Sequence, residues 1–568
     1  MGAGAAARVA GAVGAFLDGP LPVRIRAWDG SEAGAAPGPG VPTVVLRSRR
    51  ALRRLLWQPG EMGLAHAYVS GDLDVDGDLA EGLAAMWALV RSGTIAPRRP
   101  RVGELPGLAA VALRLGLVGP RPAAPPEAIR IRGRRHSGRR DRDVIAHHYD
   151  AGNAFYALLL DDSMAYSSGY WTSEQSTLAQ AQHDKLELIC RKLELAPGRR
   201  LLDIGCGWGS LAVHAAREHG ARVRAVTISR EQRDHVNARI RAEGLAGQVQ
   251  VDLLDYRDVA ERITAPDGPF DAVSAIEMGE HVGEEHYPVF AATLHGALRP
   301  GGRALVQQMS RGVNAPGGGA FIETYVTPDM VMRPVGDTLT HLARTGLEVR
   351  DVHVMREHYV TTIRAWLAAL EERFDEAAGL VGERGARMWR LYLAGAALAF
   401  EENRMGVDQI LLARPTDRGR SGMPVTRDTW SVPARTTIAR DAGVRPRDPR
   451  PPDRRRGRHG RGGLRRHPRC GPGSRAARRR RRGLGPRLRR GHGGGLRGHR
   501  RARDRRHRRP HDRARPRRRV GPAPGRPHRP AQPREGGGPA LRRDARRRPP
   551  AGRGDRTWCA RSTCRRRA

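Results

Sequence analysis

Between residues 143 and about 415 the chain alternates short apolar runs with longer amphipathic ones. "RLLDI", "RVRAVTI", "VQVDLLD", "FDAVSAIE" and "RALVQQM" have the length and apolar content of buried strands. "SLAVHAAREHG" and "REQRDHVNARIRAEG" stand between them as helices, each stopped by a glycine. Strands alternating with helices at this spacing predict an α/β fold, a doubly wound, mostly parallel sheet with helices on both faces. Residues 360–402 predict two long helices packed on that sheet, and "QILLARP" resumes as a strand.

The pattern before this region predicts a small α+β module over residues 20–92. "PTVVLRS" reads as a strand, "RRALRRLLWQ" as a short basic helix, and "SGDLDVDGDLAEGLAAMWALV" as a polar turn leading into a helix. Asp72, Asp74, Asp76 and Asp78, with Gly77 at the sixth place, have the look of a calcium loop. Leu83 occupies the twelfth place, where such a loop needs a bidentate Glu, so the expectation is a solvated turn. Residues 93–142 form a Pro- and Arg-rich connector. It contains one helical stretch, "LPGLAAVALRLGLV", and the charge run "RIRGRRHSGRRDR", which by default is solvated and which also suits anionic headgroups.

Charge changes the picture only at one end. Residues 431–568 contain 49 Arg, no Lys and 8 acidic residues, a net +41 of the formal +42, so the remainder of the chain is close to neutral. Arg, Gly and Pro with Trp558 as the one aromatic residue cannot form a core, and the tail is expected to be disordered. Such a segment adheres to anionic surfaces by charge alone, offers single strands no stacking platform, and also fits a GC-rich gene read out of frame. No specific nucleic-acid partner is expected. Cys190, Cys206, Cys470, Cys559 and Cys564 show no C-x-x-C spacing, so neither a disulfide framework nor a metal site is expected. Residues 1–19 are Ala- and Gly-rich without a signal core, and no run reaches the roughly 18 apolar residues of a span. These features predict a cytoplasmic protein able to touch a membrane surface.

The candidate chemistry starts at "LLDIGCGWGSLAVHAA", where a strand passes through a glycine loop into a helix. The pattern G-x-G-x-G differs from the G-x-G-x-x-G of a dinucleotide site. The next strand ends in "VTIS", without the acidic residue a bound ribose usually meets, and the third ends in "LLDYRD", which offers Asp255 to an adenine amino group.

This constellation resembles class I S-adenosylmethionine-dependent methyltransferases. "IAHHYDAGNAFYALLLDDSMAYSSGYW", "DIGCGWGS", "VTIS", "DYRD", "EMGEHVG", "FIETYVTPD" and "EHYVTTIRAW" follow one another across residues 145–366. They are similar to the cyclopropane-fatty-acyl-phospholipid synthase family, and the likeness extends over about residues 20–430, making 143–430 the methyltransferase domain. The resemblance implies a cofactor site made by Tyr166 and Ser167 at the methionine end. Asp203, Gly205, Cys206, Gly207 and Gly209 would form its centre, Thr227, Ser229 and Gln232 the ribose edge, and Asp255, Tyr256 and Arg257 the adenine pocket.

The family's reaction implies attack of a cis alkene in a phospholipid acyl chain on the sulfonium methyl, then loss of a proton from the resulting cation. In the family the base is a bound bicarbonate, held by Cys, Glu, His and Tyr side chains and backbone amides. The matching positions are Ser168 for the Cys, Glu280, Gln307 for the His, and Tyr359, with Met309 as backbone donor. His147 and His148 are expected to hold a lid segment. A base-modifying methyltransferase would carry an Asn/Asp-Pro-Pro-aromatic motif where "EMGEHVG" stands. The expected partners are phospholipid acyl chains at the inner face of the membrane, with a homodimer as a candidate assembly. Ring closure is the expected outcome, a methyl or methylene branch the alternative, and a weakly active lipid- or nucleic-acid-binding relative the last reading.

Overall fold

The computed structural model describes residues 4–14, 21–38, 40–91, 101–129, 131–148, 152–315 and 319–430. The expectations for the tail lie outside the described residues, as do the side chains of His147 and His148.

Four short strands, β1 (Arg24–Arg26), β2 (Glu32–Gly34), β3 (Thr43–Leu46) and β4 (Leu73–Asp76), form a sheet in the order β2-β1-β3-β4. Strand β4 corrects the expected solvated turn. Aspartates two apart share one face of a strand, and here Asp72 and Asp74 are buried while Asp76 and Asp78 are exposed. Asp72 accepts from Arg54 Nε at 2.9 Å and from Ser48 Oγ at 2.6 Å. Asp74 accepts from Arg387, which lies on the long helix Phe374–Glu401. That guanidinium also donates to the carbonyls of Tyr68 (2.8 Å) and Leu73 (3.0 Å) and stacks 4.3 Å from the Tyr68 ring centre. One buried arginine thus ties the opening module to the helical layer inserted between the last two strands of the large sheet.

The large sheet comprises β5 (Arg200–Ile204), β6 (Arg222–Thr227), β7 (Val249–Leu253), β8 (Phe270–Ile276), β9 (Leu298–Arg311), β10 (Glu348–Val354) and β11 (Met405–Ala413), in the order β10-β11-β9-β8-β5-β6-β7. Strands β7 to β9 are mutually parallel through β6, β5 and β8, and β11 runs antiparallel to both β9 and β10. The expected doubly wound sheet is present, with its order reversing beside β5. Strand β10, "EVRDVHV", was not anticipated: it is a half-buried edge strand whose charges mask the alternation. Helices Leu178–Lys192, Ser210–His219 and Arg230–Ala242 are packed with β5 and β6 in one apolar core, and Tyr287–Ala297 with β8 and β9 in another. Thr177 and Ser229 cap two of them, and Gly220, at φ +62°, ends a third as the sequence suggests. No helix among the described residues is long and apolar enough to cross a membrane.

Arg387→Ala removes a buried donor from the Tyr68 and Leu73 carbonyls and the buried ion-pair partner of Asp74. The expected cost is about 3–5 kcal/mol, the range for breaking a buried ion pair. Arg47→Ala, which removes an exposed partner of the same Asp74, should cost at most about 1 kcal/mol. Urea unfolding compares the two; equal costs would show that the Arg387 contact does not anchor the module.

Candidate active site

The glycine loop begins where β5 ends. Gly205, Gly207 and Gly209 have φ of +77°, +54° and +80°, which side-chain-bearing residues rarely adopt. A β-carbon on Gly205 would lie 2.9 Å from Met278 Cγ, and one on Gly209 would lie 2.7 Å from Val236 Cγ1. A β-carbon on Gly207 would meet nothing within 4 Å. The outer glycines let the loop pack against its neighbours, and the middle one leaves a space for a ligand.

That space belongs to two adjoining cavities that share Gly205, Gly207 and Glu277. Thr227, Gln232, Asp255, Tyr256, Arg257 and His281 line the first, and Tyr166, Ser167, Asp203, Cys206 and Trp208 the second. Gly209 and Ser229 line neither. Gly209 packs on Val236, and Ser229 Oγ accepts from the Gln232 amide at 3.1 Å as a helix cap. Asp255 lines the first cavity, and each of its oxygens accepts from Arg257 at 2.8 Å. Arg257 also donates to Asp141 at 2.6 Å and to the His136 carbonyl at 3.2 Å. Asp141, Val144 and Ile145 form part of the same wall. The connector's charge run is therefore not simply solvated: its acidic residue pairs with Arg257, which draws the run over the cofactor cavity.

Sequence reasoning missed Lys185. Both lysines of the chain, Lys185 and Lys192, are buried, an unusual state for this residue type. Lys185 Nζ donates to Ser167 Oγ at 2.8 Å in the second cavity, and burial lowers its pKa to about 8. Asp203 opposite, pushed up to about 6 by burial, accepts from Ser274 Oγ at 2.7 Å. A buried ammonium and a buried carboxyl suit the carboxylate and amino groups of an amino-acid end. The neutral glycine loop suits a ligand without a pyrophosphate. These residues fit S-adenosylmethionine, whose methyl, when bound, is an electrophile.

Ser168, Gln307 and Tyr359 do converge, but on a residue the motif reading passed over. Glu277 Oε1 accepts from the Ser168 amide (2.9 Å) and Gln307 Nε2 (2.8 Å), and Oε2 accepts from Tyr359 Oη (2.7 Å). Ser168 Oγ turns away and donates to the Gly169 carbonyl. Burial raises the Glu277 pKa, and its three donors oppose the rise. Its φ of +50° places a non-glycine residue in the left-handed region, a strain common at functional positions. Glu280 is fully buried, and neither of its oxygens has a partner with hydrogen-bond geometry among the described residues. Burial, then the Glu277 charge, pushes it up to about 8, with the Met309 amide offsetting only part of the rise. The donors assigned to a bicarbonate thus already serve a protein carboxylate. A signal for Glu277 was available: it stands three residues before Glu280 and directly after a buried strand, where a charged residue needs partners.

Residues 136–410 match the profile of the family described as mycolic acid cyclopropane synthetase. A probable fatty acid methyltransferase of Pseudomonas putida is 37% identical over 417 residues, covering 72% of this chain and 96% of that one. The E. coli K12 cyclopropane-fatty-acyl-phospholipid synthase is 33% identical over 311 residues, 54% of this chain and 78% of that one. Among solved structures, the mycolic acid cyclopropane synthase CmaA1 complexed with SAH and CTAB aligns at a TM-score of 0.44 and 28% identity, over 48% of this chain and 97% of that one.

S-adenosylmethionine should raise the melting temperature, by the equivalent of about 2.7 kcal/mol at a hundred times its dissociation constant. Gly207→Asp should abolish the shift, because its side chain enters the ligand space; a normal shift in a folded Gly207→Asp protein would contradict that placement. A second expectation follows from Glu280. Its raised folded pKa means the native state keeps a proton the unfolded chain releases, so stability falls as pH rises from about 4.5 to about 8. Glu280→Gln removes that loss, and its stability relative to wild type should grow across this window in melts at several pH values.

Proposed function

The chain belongs to the mycolic acid cyclopropane synthetase family and is an S-adenosylmethionine-dependent methyltransferase of lipid acyl chains; from that premise, we propose that it methylates a cis double bond in a phospholipid acyl chain and closes it to a cyclopropane. The observation that carries this reading is the inner end of the cofactor cavity. There a buried carboxylate lies beside aromatic residues: the Tyr359 ring packs against Trp366 (6.0 Å) and Phe400 (4.7 Å), and Tyr166 against Trp366 (5.1 Å). An alkene is a weak nucleophile that needs no deprotonation before attack. What it needs is exclusion of water from the cation and a nearby anion, and this end of the cavity supplies both.

Within this reading the residues have separate tasks. Lys185 and Asp203 bind the amino-acid end of the cofactor, Gly207 admits its centre, and Thr227, Gln232 and Tyr256 enclose its nucleoside end. The buried rings keep the reacting carbons dry. A bilayer substrate requires surface contact. Leu56 and Trp57 are more than half exposed, and Trp57 Nε1 donates to the Gly119 carbonyl beside exposed Val118. With Arg50 and Arg53 on the same helix, these side chains form an apolar and basic patch suited to the anionic inner face of a membrane.

A second reading, methyl or methylene branching, is favoured by one observation: relatives matched over nearly their whole length are named fatty acid methyltransferases, such as the Mycobacterium tuberculosis protein at 38% identity over 95% of its length. The two reactions share the methyl transfer and part at the carbon that loses the proton. Mass spectrometry of phospholipids from cells producing the protein decides between them. The expected product has gained one CH2 and resists ozonolysis at the former double bond; an ozone-sensitive product with an exocyclic methylene would replace ring closure with branching.

A further inference from the structure

The donors around Glu277 raise a question that the reaction alone does not answer. The positions aligned with an external-anion site are present, yet they face a side chain of the protein. Their orientation is also fixed. Lys192 Nζ, which can only donate, meets Gln409 Oε1 at 3.0 Å. The Gln409 amide must then turn its Nε2 toward Gln307 Oε1, at 2.9 Å, and Gln307 is left with its Nε2 aimed at Glu277, at 2.8 Å. A single buried ammonium therefore sets two amide orientations and delivers an N–H to the carboxylate. The Ser168 amide and the Tyr359 hydroxyl complete the cradle from two other segments.

We propose that Glu277 is a built-in anion: its carboxylate occupies the cradle in place of bicarbonate, stabilises the cation formed on the acyl chain, and takes the proton that leaves it. The inference rests on the proposed alkene methylation. In that reaction the methyl's C–S bond breaks as a C–C bond forms to one alkene carbon, and the other carbon holds the positive charge until a C–H pair of the added methyl closes the ring and the proton passes to Glu277. The carboxyl returns its proton to solvent before the next turnover, so the net release is one proton per methyl. Glu277 borders both halves of the cofactor cavity, the position such a base requires. If the proton leaves a neighbouring chain carbon instead, the same carboxylate accepts it.

The experiment uses the full chain, phospholipid vesicles with cis-unsaturated acyl chains, and buffer stripped of carbon dioxide. Wild-type methyl transfer should be the same with and without millimolar bicarbonate. Glu277→Gly should lose roughly tenfold or more without it and recover a measurable part when it is added, because the side chain's removal reopens the cradle. Glycine also accepts the φ of +50° at this position without strain, so the variant should fold. Glu277→Gln, which keeps the volume and removes the charge, should be inactive and not rescued. Wild-type turnover that requires bicarbonate, or a Glu277→Gly protein at full rate without it, would overturn the proposal. If the wild type methylates no acyl chain, the proposed reaction fails, and the cradle is tested by binding alone. Line broadening of 13C-bicarbonate by Glu277→Gly but not by wild type supports it, and equal behaviour of the two overturns it.

Discussion

A carboxylate removed from water has to be met by donors, and in this molecule that requirement organises the active site. Glu277 follows β8, Gln307 comes from β9, Tyr359 from the helix Arg356–Glu372, and Ser168 from the segment before the helix Leu178–Lys192. Four separate parts of the chain must reach register before the carboxyl group is satisfied. Removing one donor would leave a buried charge short of a partner, a larger loss than the hydrogen bond alone. The same network reaches through Gln409 to Lys192, which also pairs with Asp351 on the edge strand β10. The antiparallel end of the sheet is thereby linked to the chemistry at its centre.

The opposite wall of the cofactor cavity is built by a different pairing. Arg257 follows β7 and collects Asp255, Asp141 and a backbone carbonyl from the connector. A cavity open at the carboxyl ends of parallel strands needs a cover if water is to be kept from a reactive cation. The connector lines one side of the cavity, and the helix Arg356–Glu372 backs its inner end through Tyr359 on Glu277 and Trp366 on Tyr166, with Phe374–Glu401 packed behind it. Arg387 holds the second of these helices against the small sheet. The opening module therefore braces the helical layer behind the cavity, and an apolar, basic patch sits on the module's exterior.

What could be read from the sequence was whatever is governed by local rules. The strand, G-x-G-x-G loop and helix at residues 201–216 follow from spacing, and the three glycines of the loop have positive φ angles. The central strands β5 and β8 were readable because they are buried on both faces and their runs are mostly apolar. Apart from the edge strand β10, the failures have one cause: they concern polar residues whose partners are distant in sequence. Asp72 and Asp74 resembled a solvated turn because Arg54 and Arg387 are invisible to local pattern. Asp141 lay inside a basic run whose pairing with Arg257 spans more than a hundred residues. Lys185 and Glu277 fell in ordinary helix and strand-end positions. Motif matching found the cradle residues Ser168, Gln307 and Tyr359 and could not show what they hold.

Two buried carboxyl groups three residues apart now have different environments, and the difference assigns them different states. Glu277 has three donors that favour its anion, whereas Glu280 has burial and its neighbour's charge, both of which favour its acid. Like charges at this separation in a dry site do not both ionise readily, so the donors decide which group keeps the negative charge. A cofactor with a sulfonium brings a positive charge into the cavity that Glu277 borders. One anion then faces one cation, and Glu280 stays neutral behind it. In the proposed alkene methylation the positive charge would move from sulfur to the acyl chain without a net change in the site. An anion already fixed by the fold needs no reorganisation to follow that movement, and this is the condition under which electrostatic stabilisation is strongest.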